Sequence, residues 1–140
     1  MSTISTPHLI NALSFIGKLL LVALFWWDVA FQFIPNFTNL INYIAQHGLP
    51  FPSLVAQLTT LFLIICPALI FFKFSELIGY FGLAMFCIAT ALVFHQFWTL
   101  SGNDRVGEQL HFMKDLALAG TLIIIVARHL EFKFINRRSR

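Results

Sequence analysis

Four apolar stretches constrain this chain more than any other feature, because two of them leave no side for water. Leu61-Phe62-Leu63-Ile64-Ile65 and Leu122-Ile123-Ile124-Ile125-Val126 are apolar at every position of a helical turn. A helix in a water-soluble bundle carries a polar stripe opposite its buried face. These segments carry none. The stretches run from Leu13 to Ile34, Leu54 to Phe72, Leu77 to Thr99 and Phe112 to Leu130. Each approaches or exceeds the ~20 residues needed to cross about 30 Å of hydrocarbon at about 1.5 Å per residue. Only 11% of the 140 residues are charged, against about 25% in soluble domains. Mean hydropathy is +0.82. The expected fold is an all-α, single-domain integral membrane four-helix bundle in contact with the lipid bilayer.

Local signals set the expected boundaries. Pro35 ends the first span, Pro50-Phe51-Pro52-Ser53 introduces the second, and Lys73 closes it. Ser75 suits the N-cap of the third. Leu40, Ile41 and Ile44 recur at helical spacing between Thr38 and His47, and Gly48 follows as a C-cap residue. A short helix in the outer interface is predicted there. Pro67 falls inside the second span and predicts a kink that frees the Leu63 carbonyl. The N-terminal apolar run is too long for a signal-peptide core and no small-residue cleavage site follows it, so it is read as the first span. Cys66 and Cys87 lie in apolar runs outside any metal, haem or dithiol motif.

Charge gives an orientation. Net charge is +3, and Arg128, Lys133, Arg137, Arg138 and Arg140 crowd the C-terminus against Glu131 alone. A basic segment directly after an apolar span anchors to anionic lipid on the cytoplasmic side rather than to nucleic acid. The connection from Pro35 to Ser53 has no Lys or Arg, whereas the one between spans two and three has Lys73. Both termini and the basic tail, 131–140, are therefore expected in the cytoplasm. Lys18, near the start of span one, can snorkel to the same side.

Polar residues inside spans cost roughly 2.5–3.5 kcal/mol each when charged and central, so each needs a reason. Asp28 and Gln32 lie near the outer end of span one. His95, Gln96 and Trp98 lie near the outer end of span three, and Lys114 and Asp115 at the outer start of span four. By topology alone, three spans place polar groups in one layer. One reading is a structural ion pair of Asp28 with Lys114, capped by His95. The other is a quinone site, with His95, Lys114 and Trp98 as donors to the ring carbonyls and Trp26, Trp27, Phe94 and Phe97 as walls. Interfacial aromatic residues also concentrate without any ligand. A haem would need two imidazoles facing each other at one depth, and the histidines are not so distributed. No metal-binding spacing occurs.

Three blocks resemble the DoxX family: Gly48-Leu49-Pro50-Phe51-Pro52, Phe94-His95-Gln96-Phe97-Trp98-Thr99, and Gln109-Leu110-His111-Phe112-Met113-Lys114-Asp115-Leu116-Ala117. Their order and spacing fit over roughly residues 16–127. The resemblance implies a four-helix protein of the bacterial inner membrane. The family takes its name from a subunit of an archaeal thiosulfate:quinone oxidoreductase, and other members are linked to redox and oxidative-stress complexes. The chain departs from the family in two places. Asp115 stands where Asn is frequent. Gln57-Leu58-Thr59-Thr60-Leu61 stands where a Glu followed by glycines is frequent, and Asp28 is a candidate source of that missing negative charge. The implied role is a membrane component of a quinone-linked redox or oxidative-stress system. It would act with a soluble redox subunit or as a homo-oligomer, since no ligand set for a redox cofactor of its own is present. The alternatives are a small transport or membrane-organising protein and a structural anchor without catalysis.

Overall fold

The computed structural model describes residues 6–138, with side chains as far as Ile135. Of the basic tail, residues 139 and 140, including Arg140, lie outside the described residues. No strand occurs among the described residues. The helices are α1 (Thr6–Asp28), α2 (Phe37–Gln46), α3 (Pro52–Ala68), α4 (Glu76–Phe94) and α5 (Gly102–Arg138). With their continuations, α1, α3, α4 and α5 are long and apolar enough to cross a membrane. The described residues divide into two compact units between Phe71 and Phe72.

In the first unit, α1 continues into one wide turn, Val29–Phe33, closed by the Ile34 N–H donating to the Val29 carbonyl at 3.0 Å. This five-residue bond loosens the helix immediately after Asp28, as single π-turns do. Val22 and Phe25 of α1 and Val29 of the wide turn form one buried face. α1 and α3 pack against each other and run antiparallel. Phe15 meets Phe71 edge-on at 6.2 Å. Lys18 Nζ donates to the Ile70 carbonyl, and Trp26 Nε1 to the Ile64 carbonyl, both at 3.2 Å.

The Lys18 bond lies at the helix end that follows Pro67. Proline has no N–H and its ring clashes with the preceding turn, so the α-helix ends at Ala68 and a tighter turn, Leu69–Phe71, completes the span. Carbonyls at such an end need donors. Lys18 supplies one from the neighbouring helix, and its ammonium also complements the negative end of the α3 dipole. Lys18 therefore turns inward to a carbonyl, where the sequence suggested an outward reach.

α2 is the amphipathic helix between the first two spans. It buries Ile44 and packs on α3. Gly48, at φ +72°, ends it, its N–H donating to the Ala45 carbonyl at 3.0 Å. Pro52 opens α3 at a first-turn position, where its missing N–H costs nothing. Phe51 before it is left-handed at φ 52° and ψ 56°. That conformation suits glycine and strains a bulky residue.

In the second unit, α4 and α5 form a hairpin of closely packed helices. Tyr80, Ala84, Cys87 and Ala91 recur along one buried face of α4, and α5 buries Ala119 and Leu122. Small residues on such a face let backbones approach closely. Ser75 occupies the N-cap position of α4, but its hydroxyl donates back to the Phe72 carbonyl at 3.5 Å and makes no cap bond.

Both ends of the turn between these helices differ from the sequence expectation. α4 stops at Phe94, five residues before the expected end of span three, and Phe97–Thr99 forms a separate tight turn. α5 begins at Gly102, ten residues before the expected start of span four. Gly102 takes φ +64°, and Asp104 lies in the first turn, where the helix dipole favours an acid.

Candidate functional site

The break after α4 is where the chemistry collects. His95 and Gln96 have non-helical backbones, φ −105°, ψ 54° and φ −80°, ψ 61°. Leaving the helix frees carbonyls of its last turn. The Gln96 amide folds back and donates to the Val93 carbonyl at 3.2 Å, and the Thr99 hydroxyl donates to the Gln96 carbonyl at 2.8 Å. The His95 ring is released from the helix axis and directed at α5.

Two carboxylates meet it there. His95 Nδ1 lies 2.7 Å from Glu108 Oε2, and His95 Nε2 lies 3.7 Å from Asp115 Oδ2. Asp115 Oδ2 also accepts the Thr90 hydroxyl at 2.8 Å. The result is a chain of polar groups, Glu108–His95–Asp115–Thr90, joining the end of α4 to the first half of α5. His111 stacks on His95 with ring centroids 5.3 Å apart and planes 19° from parallel. Two imidazoles stacked face to face cannot ligate one metal between them from opposite sides, as a haem requires. Among the described residues, no group of three or more His, Cys, Asp or Glu side chains is arranged to hold a metal ion.

The site is open. Side-chain exposure is 20% for His95, 32% for Glu108 and 27% for Asp115. Beside it, Phe97, Trp98 and Phe112 pack edge to face, with centroids 5.2, 5.3 and 5.9 Å apart. Trp98 remains exposed on its outer side. A polar relay thus borders a cluster of edge-to-face aromatic rings at the mouth of the hairpin.

Of the residues singled out from sequence, His95 and Asp115 come together directly, Gln96 braces the helix end, and Trp98 belongs to the aromatic group. Lys114 is exposed beside Asp115. Asp28, half-buried at the end of α1, and Gln32, exposed in the wide turn, belong to the first unit. Sequence reading passed over three participants: Thr90, Glu108 and His111. Glu108, His111 and Asp115 are spaced i, i+3 and i+7, one face of one helix. That signal was available, but only to a reader who starts α5 before Phe112. Thr90 is a lone hydroxyl in an apolar run, with nothing nearby in sequence to mark its partner.

The DoxX family model matches residues 13–96. The match runs from within α1 through α4 and ends at the His95–Gln96 break, so Glu108, His111 and Asp115 lie beyond it. No curated protein and no solved structure matches the chain.

Proposed function

Since the chain belongs to the DoxX family and carries four helices able to cross a membrane, we propose that it is the membrane component of a quinone-linked redox or oxidative-stress system. It would reside in a bacterial inner membrane and act with a partner, a soluble redox subunit or a second copy. The observation that carries this reading is His95, held between Glu108 and Asp115 beside the Phe97–Trp98–Phe112 surface. Interconversion of a quinone and its hydroquinone moves protons together with electrons. An imidazole between two carboxylates can hold or pass a proton, because its two nitrogens exchange donor and acceptor roles. Within the aromatic group, the exposed Trp98 offers one ring face for stacking. Electrons would come from or go to the partner.

Titrating the tryptophan fluorescence of the purified protein with a short-chain quinone, in both redox forms, tests this reading. Saturable quenching that is lost in His95→Ala and reduced in Trp98→Phe is expected. Linear quenching, equal in all three proteins, would mean that the ligand only partitions into detergent, and the reading would fall.

A structural lock is the second reading, favoured by the way the same network ties the end of α4 to the first half of α5. It expects His95→Gln to change melting and no binding property. A transport path receives less support. Between Asp115 and Arg128 the polar layer of α5 continues only at Thr121, whose hydroxyl donates back to the Ala117 carbonyl at 2.9 Å.

A further inference from the structure

The hydrogen-bonding inventory at the mouth of the hairpin is unbalanced. His95 Nδ1 is engaged by Glu108 at 2.7 Å. The Gln96 amide is turned away to the Val93 carbonyl. The single Thr90 hydroxyl hydrogen faces three acceptors, the Phe86 carbonyl at 3.1 Å, the Cys87 carbonyl at 3.0 Å and Asp115 Oδ2 at 2.8 Å. What remains is His95 Nε2 and an Asp115 carboxylate with spare lone pairs. Their 3.7 Å separation is too long for a direct hydrogen bond. It is short enough for one added oxygen to lie about 2.8 Å from both, beside the pair. Other charged groups nearby on α5 do not fill that position. Lys114 follows a neighbouring, divergent direction on the helix and is exposed, Asp104 and Arg105 lie in the exposed first turn, and His111 stacks on the face of the His95 ring.

We infer that this position takes the hydroxyl of a hydroquinone in preference to the carbonyl of a quinone. The inference rests on the quinone-linked reading above and adds which redox form the site holds. An ionised carboxylate only accepts hydrogen bonds, so whatever lies against Asp115 must carry a hydrogen. A hydroxyl meets this need in either state of His95. Its one hydrogen goes to Asp115, and its oxygen accepts from Nε2 where that nitrogen carries a proton or leaves a bare Nε2 to solvent. A quinone carbonyl has no hydrogen and sets its lone pairs against those of Asp115. A site built around an acceptor discriminates strongly against a ligand lacking the matching donor, because the partly buried acceptor is left unpaired. Asp115 is thus the selecting group, with Thr90 holding it in place.

The test is calorimetric titration of the full chain in detergent with three probes: a short-chain benzoquinone, its hydroquinone kept reduced under argon, and the dimethyl ether of that hydroquinone. The expected result is binding of the hydroquinone at least about tenfold tighter than the other two, the scale of one hydrogen bond made or missed. In Asp115→Asn the preference should shrink to near unity or reverse, because the amide offers a donor to the quinone carbonyl while its oxygen still accepts from Thr90. Quinone binding as tight as hydroquinone binding in the natural protein overturns the inference and leaves the quinone-linked reading standing. Absence of saturable binding by any probe overturns both. An undiminished preference in a folded Asp115→Asn protein overturns the role of Asp115.

Discussion

At the scale of single residues, His95 shows how a helix end can be exchanged for a site. Leaving the helix lets the imidazole reach Glu108, and the freed carbonyls find Gln96 and Thr99. The individual bonds are modest. Hydrogen bonds between side chains in membrane proteins average about 0.6 kcal/mol and reach about 1.7 kcal/mol. Thr90→Val, which keeps the shape and removes the donor to Asp115, is expected to cost about 1 kcal/mol, read as a fall in melting temperature in detergent. An unchanged melting curve would mean that the Thr90–Asp115 bond carries no net stability. Phe51 makes the opposite case. It is left-handed and 76% exposed, so its side chain does little within the protein to offset a strain of roughly 1–2 kcal/mol. Phe51→Gly is expected to leave melting unchanged or raise it, whereas Phe25→Gly, on the buried face of α1, should lower it severely. Loss of stability in Phe51→Gly would show that the ring contributes packing that outweighs the backbone strain.

At the scale of elements, α1 and α3 are joined by Lys18 at the helix end behind Pro67 and by Trp26 at the Ile64 carbonyl. Lys18→Met keeps the apolar stem and removes the ammonium at the Ile70 carbonyl. The expected loss is about 1 kcal/mol, the scale of a favourable charge at a helix C-terminus. Trp26→Phe, which removes the donor to Ile64, should cost a comparable amount. Thermal denaturation of each variant and the pair measures both, and the double variant should be near additive if the two carbonyls are independent. Most element centres were legible from the sequence because apolar length alone signals a spanning helix, and Gly48 and Pro52 marked their own positions. The ends were less legible, for reasons that can be named. Nothing in Phe94-His95-Gln96-Phe97 is a helix breaker by propensity, since the break is maintained by Glu108, thirteen residues away. Ser101-Gly102-Asn103-Asp104 has the composition of a turn, but Asn and Asp equally favour the start of a helix. Reading it as a loop delayed α5 by ten residues and hid the face shared by Glu108, His111 and Asp115. His95 and Asp115 were found because a polar residue in an apolar span asks for an explanation. Glu108 does not stand out in this way, since it precedes the apolar run that opens at Phe112.

At the scale of the whole molecule, the length of α5 and the charges at its two ends bear on which way the site opens. Its 37 residues extend about 55 Å at 1.5 Å per residue, well beyond about 30 Å of hydrocarbon. The apolar centre can occupy the bilayer only if both ends project. One end carries Asp104, Arg105 and Glu108, and the other Arg128, Lys133 and Arg138. Positive charge is retained on the cytoplasmic side, so the basic end should lie inside and the hairpin mouth with His95 outside. Single cysteines at Ser101 and Lys133 test this with a membrane-impermeant maleimide, because the native Cys66 and Cys87 are buried. Ser101→Cys should label in intact cells and Lys133→Cys only after permeabilisation. With that outcome, protons released or taken up at His95 would exchange with the outer face through Glu108, the most exposed member of the relay. The reverse labelling pattern would turn the mouth toward the cytoplasm. A soluble redox partner inside the cell could then reach the site directly, rather than across the membrane.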